Sequence, residues 1–330
     1  MRILSGLKPT GRPHLGNYFG ALRQWVELQD KGEPFYFLAD LHALNQVRDA
    51  ATMREYTLGA ALDYFALGLD PERATIFVQS EVPEISELTW ILGTVTPMGL
   101  LQRAHAYKDA LAKGEEVDYG LFAYPVLMAA DILAYDSDIV PVGQDQKQHV
   151  EITRDIAVKL NQTYCSTFDP QTGEGGALKL PQPMIVPETA TVPGTDGRKM
   201  SKSYGNTIPL FGTDKETKKA IMGIVTDSAS VEAPKDPASC NVFALLKLLA
   251  PADELPAIEE QYRAGGTGYG AFKTLLLERF HDRFDAARAR RQELAADPGV
   301  VRDALTRGAE KARAVAGEVL ARVQRAVGIR

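Results

Sequence analysis

The sequence predicts an α/β protein: a Rossmann-type parallel sheet followed by a C-terminal region built only of helix. Three observations carry that reading. Strand-like and helical patterns alternate as βαβαβ, with apolar runs at 2–7, 35–39 and 75–79 and helical stretches between them, and such alternation implies parallel strands covered by helices on both faces. Gly/Pro corners follow strands, as in Lys8-Pro9-Thr10-Gly11-Arg12-Pro13 after the first run and Gly143 after a strand at 138–142. Beyond Phe211 the strand pattern stops, and helices are expected at 214–222, 242–249, 254–263, 269–294 and 300–327.

The 330 residues, 45% of them hydrophobic, suffice for one large α/β domain and a smaller one. No apolar run approaches the ~18 residues of a membrane span, and no basic-then-apolar leader opens at Met1, so a cytoplasmic protein without membrane contact is expected. Cys165 and Cys240 lie far apart with no CxxC or Cys/His spacing, which argues against a metal site or disulfide framework. The net charge of −6 hides an asymmetry: residues 271–330 hold 13 Lys and Arg against 8 Asp and Glu, and the remainder holds 24 against 35. A local basic face matters more to a nucleic-acid partner than the sum, although an Arg/Ala-rich helix is often only a solvated surface.

Taken in order, the first strand runs through the Lys8–Pro13 loop into a helix opened by His14-Leu15-Gly16-Asn17, with Tyr18, Leu22, Trp25 and Val26 on its apolar stripe. A strand, a Gly/Pro loop and a helix N-terminus together present backbone N–H groups to an anion, and Gly16 permits close approach. Lys8, His14 and His42 fall at the carboxyl ends of strands, where ligands of such sheets bind. Helices at 85–93 and 98–113 read as an insertion spanning about 84–120. Tyr124, Met128 and Asp131 are spaced i, i+4, i+7 on one helical face. Asp131 could be a cap or pair with an arginine, but a buried acceptor beside Met and Tyr fits a flat ring with one N–H, as in indole. After the 138–142 strand, Gly143, Asp145 and Gln146 form a second strand-to-helix corner, which alone would read as capping chemistry; Lys147 and His149 are expected to point away from it. Residues 161–190, rich in Thr, Gly, Pro and Gln, read as a linking excursion. Then Lys199-Met200-Ser201-Lys202-Ser203 places two ammonium groups three residues apart on a Gly-flanked loop able to close over phosphate.

His14-Leu15-Gly16-Asn17 and Lys199-Met200-Ser201-Lys202-Ser203 resemble, in order, the HIGH and KMSKS signatures of class I aminoacyl-tRNA synthetases, and the likeness to the bacterial tryptophanyl-tRNA synthetases runs from Ser5-Gly6 to the C-terminal helix. The resemblance implies a tryptophan–tRNA ligase using ATP and Mg2+, with L-tryptophan and tRNA(Trp) as partners and a homodimer whose contacts lie in the insertion. It implies a catalytic domain at 1–211 and a helical tRNA- and anticodon-binding domain at 212–330, its last helix packing back on the catalytic domain. Lys199, Ser201, Lys202, His14 and Asn17 would be catalytic, with Lys8 and Lys108 as further phosphate ligands. Thr10, Gly16, Gly143, Asp145, Gln146 and Met200 would join them around ATP. Tryptophan would lie among Leu4, Gly6, His42, Tyr124, Met128, Asp131, Ile132, Val140, Val142 and Gln146. The magnesium would be held through the ATP phosphates rather than by a protein ligand set. Lys8 departs from the family's commoner Gln. A tyrosyl enzyme would carry Gln where Met128 stands, a small HIGH-type nucleotidyltransferase would need no KMSKS, and a non-catalytic RNA-binding relative would have eroded lysines or glycines.

Overall fold

The structure is a computed structural model that describes residues 1–143, 147–185 and 192–330. Five strands, β1 (Arg2–Leu7), β2 (Glu33–Leu38), β3 (Thr75–Val78), β4 (Ile139–Val142) and β5 (Gln182–Ile185), form one parallel sheet in the order β3-β2-β1-β4-β5. The chain therefore builds outward from β1 to β3 and then returns to the other side of β1. That reversal opens a crevice beyond the carboxyl ends of β1 and β4, the usual ligand position in such sheets. β2 is apolar at consecutive positions because both its faces are covered, as parallel strands require.

The helices in chain order are α1 (Leu15–Asn17), α2 (Arg23–Leu28), α3 (Asp40–Ala43), α4 (Ala50–Ala66), α5 (Glu84–Val95), α6 (Met98–Leu101), α7 (His105–Ala112), α8 (Tyr119–Leu133), α9 (Lys147–Tyr164), α10 (Asp214–Met222), α11 (Asn241–Leu249), α12 (Leu255–Ala264), α13 (Tyr269–Ala296) and α14 (Pro298–Val327). Tyr36, Leu38, Ile76 and Val78 face a core shared with Trp25, Tyr64, Phe243, Phe280 and Phe284. Alternate residues Phe35, Phe37 and Phe77 face a second core with α5, α8 and α9. The first core thus joins the sheet to α11 and α13, so the C-terminal helices share one apolar cluster with it.

Local signals explain several starts. Asp49 caps α4 by accepting from the Thr52 N–H, and Thr213 and Glu216 form a capping box that opens α10. On α14, Gly308 crosses the edge strand β3, where a Cβ would sit 1.9 Å from the Ile76 carbonyl oxygen. Ala309, Ala312, Ala316, Val319 and Val323 then bury against the second core.

Three expectations change. β5 lies inside the stretch read as a linking excursion. The helix expected at 98–113 breaks at Gln102–Ala104 into α6 and α7. The helix opened by His14 is three residues long and passes through a π-helical turn, Tyr18–Leu22, before α2; such turns recur at functional sites. No helix among the described residues is long and apolar enough to cross a membrane.

Candidate active site

A cavity of about 160 Å³ opens at the carboxyl end of β1, lined by Lys8, Thr10, Asn17 and Lys202 on one side and by Asp63 and Tyr64 of α4 on the other. The two signature segments are laced together there. The Leu15 N–H donates to the Ile208 carbonyl at 3.1 Å, the Leu210 N–H donates to Pro13 at 3.1 Å, and the Lys202 ammonium donates to the Thr10 carbonyl at 3.2 Å. His14 is buried, and its backbone N–H donates to Asn17 Oδ1 at 3.1 Å. Gly16 is needed for this arrangement, because a Cβ would meet the His14 ring at 3.0 Å and Met200 Cβ at 3.4 Å.

Burial, reinforced by the Lys202 charge, pushes the His14 imidazole down to about 4, so the ring is neutral at neutral pH. Burial also lowers the Lys202 ammonium, partly offset by the Asp63 carboxylate, and lowers Lys8 although that side chain stays accessible. The ammonium groups of Lys8 and Lys202 at the mouth of one cavity make a place for a polyanion.

The loop carrying Lys199 and Lys202 is organised by Asn206, which is 1% exposed. Its amide donates to Asp196 Oδ1 at 2.7 Å and to the Lys199 carbonyl at 3.2 Å, while its oxygen accepts from the Ser201 N–H at 2.8 Å. Ser201 and Ser203 hydroxyls are 2.9 Å apart. Lys199 is exposed, whereas the Met200 side chain is buried in the first core. Met200 therefore anchors the loop, and its backbone N–H donates to the Val192 carbonyl at 2.9 Å.

On the other side of β1, Asp131 is 2% exposed but not isolated, contrary to the picture of a lone acceptor on an apolar face. His42 Nε2 lies 2.8 Å from its Oδ2, and Gln79 Nε2 donates to both oxygens at 2.7 and 2.9 Å. Burial raises the Asp131 carboxyl against the opposing pull of His42. Tyr124 lies edge-on to His42 and its hydroxyl is 2.7 Å from His149 Nε2. His149, in the first turn of α9, thus belongs to this network through α8. Met128 is half-buried against the core that holds Leu4, Ile132, Val140 and Val142. Gly6 is exposed, and a Cβ there would lie 2.5 Å from the Phe37 ring, so glycine keeps this surface flat.

Lys108 sits exposed on α7 and makes no hydrogen bond or ion pair with the signature residues among the described residues. Gly143 follows β4 and is exposed, while Asp145 and Gln146 lie outside the described residues. Gln79, Asn206 and Asp63 were not singled out from the sequence. Gln79 could have been found as a polar residue ending an apolar strand at the ligand-binding edge.

The family model for class I tRNA synthetases (W and Y) matches residues 1–285. A tryptophan–tRNA ligase of Rhodopirellula baltica is 54% identical over 330 residues, covering all of both chains, and one of Fusobacterium nucleatum is 50% identical over 328 residues, covering 99% of this chain and 98% of its own. The crystal structure of tryptophanyl-tRNA synthetase from Campylobacter jejuni complexed with ADP and tryptophan has a TM-score of 0.92 at 46% identity, covering 99% of this chain and 100% of that one. With two signatures joined at one cavity and likeness over its full length, the chain belongs to the class I tRNA synthetases that serve tryptophan and tyrosine.

Proposed function

We propose that the two sides of β1 divide a two-step acyl transfer. The tryptophan carboxylate attacks the α-phosphate of Mg-ATP and pyrophosphate leaves; a ribose hydroxyl of the terminal adenosine of tRNA(Trp) then takes the acyl group from the adenylate. No covalent protein nucleophile is needed, so the chain's work is positioning and stabilising charge. Lys199 and Lys202, with Ser201, hold the α-phosphate and the departing pyrophosphate. His14, Gly16 and Asn17 receive the triphosphate, with Thr10 and Lys8 beside them and Lys108 reaching from α7. Asp145, Gln146 and Gly143 take the ribose and the substrate ammonium. Asp131, held by His42 and Gln79, accepts the indole N–H, while Tyr124, Met128, Leu4, Ile132, Val140 and Val142 enclose the ring over Gly6. Asp131 Oδ2 is filled by His42 and Gln79, but Oδ1 has Gln79 alone and keeps a spare lone pair, so the partners orient the carboxylate without exhausting it.

The observation that carries the reading is the junction itself: Lys202 docked on Thr10, with 13–15 zipped to 208–210, at the switch point of the sheet. Residues 1–211 form the catalytic part and 212–330 the tRNA-binding part of a cytoplasmic homodimer. Exposed Trp90, Met98, Leu111 and Tyr119 on the insertion support self-association there.

ATP–pyrophosphate exchange across the amino acids tests the reading. Lys199→Ala and Lys202→Ala should each lower kcat ~10²–10³-fold, the scale of losing one oxyanion donor, with little change in tryptophan binding. Unchanged kinetics in both would remove the phosphate assignment. Asp131→Ala should abolish the preference for tryptophan over an analogue with sulfur in place of the ring nitrogen.

A further inference from the structure

Asp63 is 3% exposed on the wall of the phosphate cavity, and no step above uses it. A carboxylate behind a triphosphate site opposes anion binding, so its presence calls for a different account. Its partner is remote in sequence. Arg291 of α13 donates from Nε to Asp63 Oδ1 at 2.5 Å, and its guanidinium lies 5.3 Å from the Phe211 ring centre. The adjacent Arg290 donates to the Phe65 carbonyl at 3.2 Å, so two consecutive arginines fix α13 to the C-terminal end of α4. Across the cavity, Lys202 rides on a flexible stem and is held by a contact to the Thr10 carbonyl.

We propose that Asp63 is a positioning residue that draws the Lys202 ammonium into the cavity, and that Arg291 keeps Asp63 in place and ionised, so that α13 sets how Lys202 meets the ATP phosphates. This rests on the assignment of Lys202 to phosphate. Burial pushes the Asp63 carboxyl up to about 6, and Arg291 is the largest opposing influence, ahead of Lys202 and Arg12. Lys8 and Tyr64 are the other titratable groups lining the same space; the Tyr64 hydroxyl is raised by burial and has no hydrogen-bond partner among the described residues. Without Arg291 the carboxyl is held up further by burial and takes up its proton at a higher pH, where its hold on Lys202 ends. Asp63→Asn removes both the anchor and the repulsion toward ATP, so kcat should fall while the KM for ATP stays level or falls.

The test is ATP–pyrophosphate exchange at saturating tryptophan on the full chain, with melting curves to confirm folding. Asp63→Asn and Arg291→Ala should each lower kcat about tenfold in the wild-type background and less than about twofold in the Lys202→Ala background. Arg291→Lys should recover most of the loss. An acid limb of kcat set by Asp63 is expected near pH 6 in the wild type, and should move upward in Arg291→Ala and be absent in Asp63→Asn. Should Arg291→Ala fail to fold, the isosteric Asp63→Asn carries the test alone. Equal losses in both backgrounds, or a raised KM for ATP with unchanged kcat, overturn the inference while leaving Lys202 in its role. A Lys202→Ala variant with wild-type kcat removes that role and this inference with it.

Discussion

Two buried aspartates flank β1, and their partners differ. Asp63, on the wall of the cavity, faces the permanent charge of Arg291; Asp131, on the other side of the strand, faces a neutral amide and an imidazole. Burial raises both carboxyls. A guanidinium compensates charge directly, which suits a group acting through its field. An amide and an imidazole orient the carboxylate through directed hydrogen bonds, which suits a group that must still accept one from a ligand.

The contrast predicts unequal costs of removing each partner. Arg291→Ala leaves a buried charge uncompensated, and breaking such pairs costs ~3–5 kcal/mol; because Arg291 is partly exposed, we expect about 3 kcal/mol at pH 8 and less at pH 5, read by denaturant unfolding. If both pH values give the same loss, Asp63 does not titrate in between.

The pH dependence sharpens the comparison next. Asp63 moves from 3.8 to about 6 on folding, so the folded chain binds its proton more tightly and stability falls as pH rises across that window, by about 3 kcal/mol in total. His14 moves from 6.5 to about 4. Its contribution is present above the unfolded value and lost as pH falls toward 4, by about 2 kcal/mol once solvent screening is allowed for. The two slopes oppose each other. Asp63→Asn should therefore leave a stability that rises with pH between 4 and 6, and a flat difference from the wild type would contradict the Asp63 shift.

Gln79→Leu should cost ~1–3 kcal/mol by removing the donor shared by both Asp131 oxygens, and should raise the KM for tryptophan more than that for ATP. An equal effect on both substrates would place Gln79 in a general structural role. Smallest, Tyr124→Phe removes the hydroxyl contact to His149 and should cost about 1 kcal/mol, with a modest rise in tryptophan KM.

The elements legible in the sequence were those whose signal is local. Alternating strands and helices, the His14–Asn17 and Lys199–Ser203 segments and the long C-terminal helices all announce themselves within a few turns. β5 did not, because Pro183 and flanking prolines make a short strand at the sheet's edge look like a loop. What remained hidden were partnerships across the chain: Gln79 reaches Asp131 over 52 residues and Arg291 reaches Asp63 over 228. The basic excess of residues 271–330 was likewise ambiguous. Arg283, Arg288, Arg290, Arg291, Arg313 and Arg322 all bond within the chain, to Tyr18, Gly212 and Asp214, Phe65, Asp63, Glu84 and Asp136. Much of that charge fastens α13 and α14 to the rest of the protein, so tRNA binding cannot be read from the count.

The crossing of Gly308 over β3 has a consequence for how the chain is made. The edge of the sheet has no cover from α14 until that helix has been synthesised, and Arg313 meets Glu84 across 229 residues. At ~5–20 residues per second, the strand edge stays open on the ribosome for roughly 10–45 s. During that interval its unpaired backbone is a template for other strands. Replacing Gly308 with even alanine would extend that vulnerable interval into the completed chain, because the helix could no longer seat against the Ile76 carbonyl.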